Sequence, residues 1–489
     1  MSNESPSGLG ELARQVGWYA SGHGARLLTA SLIIPLYAVY LPPAELGRLA
    51  LIQVAWSLMQ NLVSLGTYTG YFRLVAELRG GRRDAEADEA TYTAFAALSS
   101  IYLVTAVVIA GMALGLRAAG LLEDWTLLLI LAGFMPIAST PREIAEVELR
   151  SSGRARAWSG VALLQQIGGT GGAAAAIALG HATAEGILLA QFAGLSAVSL
   201  VSFPFFWRAL AARPWSTAAL RQMVRFGAPT TPALLSAWVT QFADRFLLGL
   251  LSTIEQVGLY SLGWRVGQVA ETVVSAATMS AWDPFLFRRY SEPGGDRLIA
   301  RTATYLALGG MAIVVPIGAV AYPLFDLLGA EAYLPVAGIV FFVALSYWIG
   351  LLRHLLLAPT ATHMRPERAI PVWVATAVVN VLLNLALIPP YGFKGAIAAT
   401  VASYALSVPL AVWVSRAIWA IPFEWSRLGA VTAAGVSAGV VASALRVDVP
   451  PVVGIVAQPT LGVVLFLALL VALRFPRRDE WAVLRAVAR

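Results

Sequence analysis

Ile370-Pro-Val-Trp-Val-Ala-Thr-Ala-Val-Val-Asn380-Val-Leu-Leu-Asn384-Leu-Ala-Leu-Ile388 runs for 19 residues without an ionisable side chain. As a helix it spans roughly 28 Å, close to the hydrocarbon thickness of a bilayer. Apolar segments of this kind recur along the chain. They fall at roughly 17–40, 46–70, 91–116, 125–145, 158–179, 186–207 and 227–250, then 257–282, 302–327, 335–357, 370–388, 395–413, 428–445 and 453–473. The reading predicts an all-α polytopic membrane protein with about 14 transmembrane helices. No loop exceeds about 20 residues, so no soluble domain is expected.

Composition agrees. Only 12% of the 489 residues are charged and the mean hydropathy is +0.73. Soluble proteins carry roughly 25% charged residues, and half that fraction cannot cover a water-exposed surface. There is no cysteine, which excludes disulfides, thiolate metal sites and cysteine nucleophiles. His23, His181, His354 and His363 are scattered without metal-ligand spacing, and no metal or cofactor is expected. The N-terminal segment lacks the basic, apolar, small-residue order of a cleaved signal peptide.

The arginines test the count. With the N-terminus inside, the expected cytoplasmic segments carry 25 basic residues and the opposite gaps carry 4: Arg48, Arg117, Lys394 and Arg446. Positive charge is retained on the cytoplasmic side during insertion, so both termini are expected there. Domain boundaries follow: a cytoplasmic segment 1–16, helices over 17–208, a cytoplasmic linker 209–226, helices over 227–416, two further helices over 428–474 and a cytoplasmic tail 475–489. In that tail, residues 478–485 are expected to lie on the membrane surface as a short amphipathic helix.

A repeat is visible about 210 residues apart. Leu41-Pro-Pro-Ala-Glu45-Leu-Gly47 follows the first helix, and Leu251-Ser-Thr-Ile-Glu255-Gln-Val-Gly258 follows the seventh. Each is a short turn with Glu then Gly entering the next helix. An even separation of six helices gives both copies the same orientation.

Those turns, with Pro35-Leu36-Tyr37, Arg225-Phe226-Gly227-Ala-Pro229, Ala243-Asp244-Arg245-Phe246-Leu247-Leu248-Gly249, Gly258-Leu-Tyr260-Ser261 and Asn380 to Ala396, resemble the polysaccharide-biosynthesis flippases. These are the Wzx-type branch of the multidrug/oligosaccharidyl-lipid/polysaccharide exporter superfamily. The resemblance implies two six-helix bundles related by pseudo-two-fold symmetry around a central cavity, plus two C-terminal helices. It also implies export of a lipid-linked sugar from the bacterial inner membrane by alternating access. The expected partners are the lipid-linked oligosaccharide, membrane lipids, and a polymerase and glycosyltransferases of the same pathway.

Charges inside apolar segments each need a reason, because insertion costs roughly 2.5–3.5 kcal/mol apiece. Arg26, Arg245, Arg265 and Arg353 are the candidate substrate-binding residues. A guanidinium stays charged and presents a planar fork that matches phosphate oxygens, here those of a polyprenyl pyrophosphate. Tyr19, Trp238, Trp264, Tyr347 and Trp348 are candidates for stacking on sugar rings. Asp244, Glu271 and Asp283 are candidates for coupling a proton or other ion. The structural alternative stays open: Asp244 and Arg245 leave a helix about 100° apart, and each could pair with a neighbouring charge such as Arg265 or Glu271. The run Arg142, Glu143, Glu146, Glu148, Arg150 reads as a solvated cytoplasmic extension, with Glu146 pairing at i,i+4 spacing. Gly80-Gly81-Arg82-Arg83 is a turn, and no Walker sequence is present.

Two rival activities remain at this stage, beside a transport-inactive scaffold that recruits assembly partners. One is an ion-coupled drug or metabolite antiporter of the same superfamily. The other, a membrane glycosyltransferase or ligase, normally needs a large loop for the sugar site. The expectation is a transporter and not an enzyme.

Overall fold

The computed structural model describes residues 32–212, 214–445 and 449–475. Among these, every regular element is helical. The chain forms two compact units. The first holds Glu45–Trp238; the second holds Tyr37–Ala44 and the described residues from Val239 onward.

The main helices of the first unit are α1 (Pro43–Val63), α2 (Thr67–Gly80), α3 (Asp84–Ala118), α4 (Thr126–Ser151), α5 (Ala155–Gln166), α6 (Gly172–Ala178), α7 (Ala184–Ser202) and α8 (Thr217–Gly227). Helix α9 (Thr231–Leu251) begins in the first unit and ends in the second. There follow α10 (Ile254–Gly267), α11 (Ala277–Arg289), α12 (Gly295–Ala319), α13 (Ala321–Leu327), α14 (Ala337–Leu356), α15 (Ile370–Tyr391), α16 (Phe393–Arg416), α17 (Trp425–Ala444) and α18 (Pro451–Ala472).

Among the described residues, eleven helices are long and apolar enough to cross a membrane, or twelve if α1 and α2, bent by 58° at their break, count as one span. The expectation was fourteen. One of the missing two, 17–40, lies largely outside the described residues, as do Tyr19, Arg26 and the tail. The other, 257–282, is not one continuous helix. It stops at Gly267 and resumes as a π-helix over Glu271–Ala276 before α11. A window of hydropathy averages across such a break, whereas the backbone hydrogen-bond ladder does not.

In lipid, helix association rests on close packing more than on apolar burial, so small residues mark the contacts. At the α1–α2 break, Leu65 and Gly66 take φ of 45° and 68°. A Cβ on Gly66 would lie 2.3 Å from the Gly227 carbonyl oxygen, so backbone touches backbone where α8 ends. In the second unit Gly435 and Gly439 of α17 admit Met311 of α12 and Phe341 of α14, which would lie 2.2 and 1.9 Å from added Cβ atoms. Outward faces are apolar. Ile101, Val104, Val107, Val108 and Met112 of α3 are 41–63% exposed, a stripe suited to hydrocarbon and not to water.

Candidate functional site

The interior of the second unit carries a polar chain. Asp244 on α9 and Tyr260 on α10 are both fully buried, and the tyrosine hydroxyl donates to Asp244 Oδ2. Asp244 Oδ1 accepts from the Arg245 backbone N–H at 2.7 Å. Tyr260 also interacts with Thr400 of α16. From there Asn380 of α15 reaches Ser403 Oγ at 3.2 Å and Thr400 Oγ1 at 3.5 Å. Asn384, one turn further along α15, donates to the Asn380 carbonyl and side-chain oxygens at 2.9 and 3.1 Å. Its own Oδ1 is buried without a partner. The four-residue step puts both asparagines on one face of an otherwise apolar helix.

Arg245 is buried, and its Nη1 donates to the Gln241 carbonyl at 3.0 Å. Its guanidinium lies 4.9 Å from the centre of Trp264, 5.5 Å from Phe242 and 5.9 Å from Tyr260. Arg353 of α14 sits between Trp373 and Tyr404, at 4.9 and 5.3 Å. Arg265 lies over Tyr37 at 5.4 Å. Cation–π contacts of this kind stabilise a guanidinium by about 2 kcal/mol when desolvated, without neutralising it. Asp244 therefore hydrogen-bonds a hydroxyl and Arg245 lies among rings, while the two charges also interact electrostatically.

Glu271 opens the π-helix and accepts from Gln268 Nε2 at 3.1 Å. Tyr347 lies within electrostatic reach of Glu271 and Arg245, and Tyr404 within reach of Arg353, Asp244 and Glu271. The structure thus gathers Asp244, Arg245, Glu271 and Arg353 into one neighbourhood. Asp283 stands apart, 3.1 Å from His354 Nε2. Two of the expected stacking aromatics hold structural bonds instead. Trp348 donates to the Ala307 carbonyl at 2.8 Å in the core of the second unit, and Trp238 donates to Ser57 Oγ at 2.8 Å in the first.

The sequence reading missed Tyr260, Thr400 and Ser403 as members of the network, and it misplaced the charge run on α4. Apart from Arg150, which is exposed, that run is not solvated. Arg142, Glu146 and Glu148 are each at most 9% exposed. Arg142 bridges two carboxylates, Glu146 at 2.6 Å and Glu143 at 3.2 Å, and reaches Gln165 of α5 at 3.3 Å. Gln60 of α1 donates to Glu143 at 2.5 Å. Glu148 meets Arg79 of α2 at 3.0 Å and takes the Thr91 hydroxyl of α3. The i,i+4 pairing of Arg142 with Glu146 is as expected, but Arg150 stacks on Phe72 at 4.7 Å. The signal for burial lay outside the run, in Gln60, Tyr71 and Thr91, whose polar groups come from other helices.

The two repeated turns each cap a distant helix. Glu45 Oε2 accepts from the Ala184 N–H at 2.7 Å, at the start of α7, 139 residues on. Gln256 Oε1 accepts from the Phe393 N–H at 3.0 Å, at the start of α16, 137 residues on. An acceptor at a helix N-terminus satisfies an orphan donor and favours the dipole. The second bond also explains Gly392, which takes φ of 55° and where a Cβ would lie 1.8 Å from Gln256 Oε1.

With this geometry in hand, known proteins offer three comparisons. The family described as "Polysaccharide biosynthesis protein" matches residues 12–289, more than half the chain. No curated protein matches by sequence. Among solved structures, lipid II flippase MurJ in an inward closed conformation is similar with a TM-score of 0.71 at 11% identity, covering 93% of this chain and 98% of that one. An inward-facing multidrug resistance MATE family transporter of the MOP superfamily gives 0.60 at 15% identity, with 80% and 94% covered. A Vibrio cholerae MATE transporter gives 0.55 at 14%, with 83% and 96% covered. These likenesses show a MurJ- and MATE-like helical fold. The chain is a multi-pass α-helical membrane protein and belongs to the polysaccharide biosynthesis protein family.

Proposed function

We propose that the chain is a flippase that moves a polyprenyl-pyrophosphate-linked oligosaccharide from the cytoplasmic to the outer leaflet of the bacterial inner membrane. It works by alternating access and serves surface polysaccharide assembly. Both termini lie in the cytoplasm, and a polymerase and glycosyltransferases act beside it. One observation carries the reading. Among the described residues, Arg245 and Arg353 have aromatic rings and carbonyl oxygen as partners, and neither has a carboxylate within ion-pair distance. A guanidinium held in an apolar helix bundle by rings and a carbonyl keeps donors for an incoming anion, and pyrophosphate oxygens match its fork. Arg26 and Arg265 complete the proposed set. The rings around Arg245 and Arg353 offer faces for sugars.

Asp244, held by Tyr260, is the proposed coupling group for a proton or another monovalent cation, with Glu271 near it; Asp283 pairs with His354 and serves the coupling less directly. That buried carboxylate is also what favours a second reading, an ion-coupled antiporter of small molecules. Two experiments decide. In a complementation assay for surface polysaccharide, Arg245→Ala and Arg353→Ala at normal expression each lower the product at least tenfold; wild-type levels with both refute the anion site. In proteoliposomes, leaflet translocation of a labelled lipid-linked oligosaccharide supports the flippase. Cation-driven efflux of small molecules without it supports the antiporter.

A further inference from the structure

A groove of about 820 Å³ lies on the second unit and is lined by none of the residues of the proposed transport site. Lys394, Ile397, Ala398, Val401 and Ala402 form one wall. Their spacing of i, i+3, i+4, i+7 and i+8 is a single face of α16, about 12 Å long. Gly338 of α14 also lines it, and an added Cβ there would meet nothing within 4 Å. The end of α17 contributes Ser443, whose hydroxyl is buried with no hydrogen-bond partner. The volume falls within the range of about 300–1,000 Å³ seen for small-molecule sites.

Hydrocarbon chains fill any apolar groove in a bilayer. What distinguishes this one is its polar end. Lys394 is exposed there and is the only lysine in the 489-residue chain. An ammonium supplies three donors, and phosphate oxygens accept from them. Charge complementarity therefore selects the occupant. We propose that this groove binds one lipid with a net-anionic phosphate headgroup, its chain along α16 and its phosphate against Lys394, independently of the flippase reading.

The test uses the full purified chain in detergent, offered equal amounts of phosphatidylglycerol and phosphatidylcholine with identical chains, and read by native mass spectrometry. Wild type retains phosphatidylglycerol about five-fold over phosphatidylcholine, the preference one ammonium near a membrane surface supplies. Lys394→Gln abolishes the preference while total bound lipid is unchanged, and Lys394→Arg keeps it. Gly338→Phe, which fills the open groove, removes one tightly held lipid per chain. Equal retention of the two lipids by wild type overturns the proposal. So does an unchanged preference in Lys394→Gln, a surface substitution that leaves the packing intact even if Gly338→Phe fails to fold.

Discussion

The contact between Tyr260 and Asp244 makes a quantitative prediction. Both side chains are buried, so the hydroxyl has no water to fall back on. A hydrogen bond to a charged acceptor contributes about 1.5–3 kcal/mol, against about 1 kcal/mol for a neutral pair. Tyr260→Phe keeps the ring that packs 5.6 Å from Trp264 and deletes only the donor. It is expected to cost about 2 kcal/mol if Asp244 rests as a carboxylate. Asp244→Asn replaces two acceptor oxygens by one oxygen and one amide. Either the Arg245 N–H or the Tyr260 hydroxyl then loses its acceptor, at a cost of about 1–2 kcal/mol. In the Asn background, Tyr260→Phe should cost about 1 kcal/mol at most.

The coupling energy of the cycle is therefore about 1 kcal/mol, above the roughly 0.3–0.5 kcal/mol within which independent sites add. Unfolding in mixed micelles by detergent titration, followed by tryptophan fluorescence, measures all four variants. A coupling below about 0.3 kcal/mol refutes a charged carboxylate resting on the tyrosine. It would also remove the basis for treating Asp244 as a group whose neutralisation the bundle senses.

Three further outcomes follow from packing and capping. Gln256→Ala removes the acceptor at the start of α16 and should cost about 1 kcal/mol; Gly392→Ala should cost more, and part of that penalty should vanish in the Gln256→Ala background, where the 1.8 Å overlap is gone. Arg142→Ala leaves Glu143 and Glu146 buried without their shared cation, and a loss of about 3–5 kcal/mol is expected in the same titration; a change under about 1 kcal/mol shows that water reaches the cluster. Gly439→Ala drives a methyl into the Phe341 ring, 1.9 Å away, and should lower stability by about 1–3 kcal/mol, with Phe341→Leu restoring part of it.

What the sequence made legible, and what it hid, divides along a physical line. Hydropathy responds to the solvent, so the helices facing lipid were readable, and the Ile370–Ile388 stretch lies within α15. The same averaging concealed the break after Gly267, because a π-helix keeps the apolar composition and changes only the hydrogen-bond register. Single charges in apolar segments pointed to Asp244, Arg245, Glu271 and Arg353, which the fold brings together. Their partners were illegible. Tyr260, Trp373 and Tyr404 become partners through tertiary contact, and each alone reads as an ordinary membrane aromatic. The run on α4 failed for the opposite reason. Clustered charges normally mean water, yet here Gln60, Arg79 and Thr91 arrive from three other helices and satisfy the carboxylates in the interior. The two similar turns hid a tertiary role. Two short turns with a carboxyl or amide entering a helix looked like local resemblance, but Glu45 and Gln256 each reach across nearly the same sequence distance to cap another helix. The acceptor differs, a carboxylate in one turn and an amide in the other, and so does the turn's length, but the capping role is the same. Each cap joins a turn to a helix start more than 130 residues further on, a link that only the tertiary structure reveals.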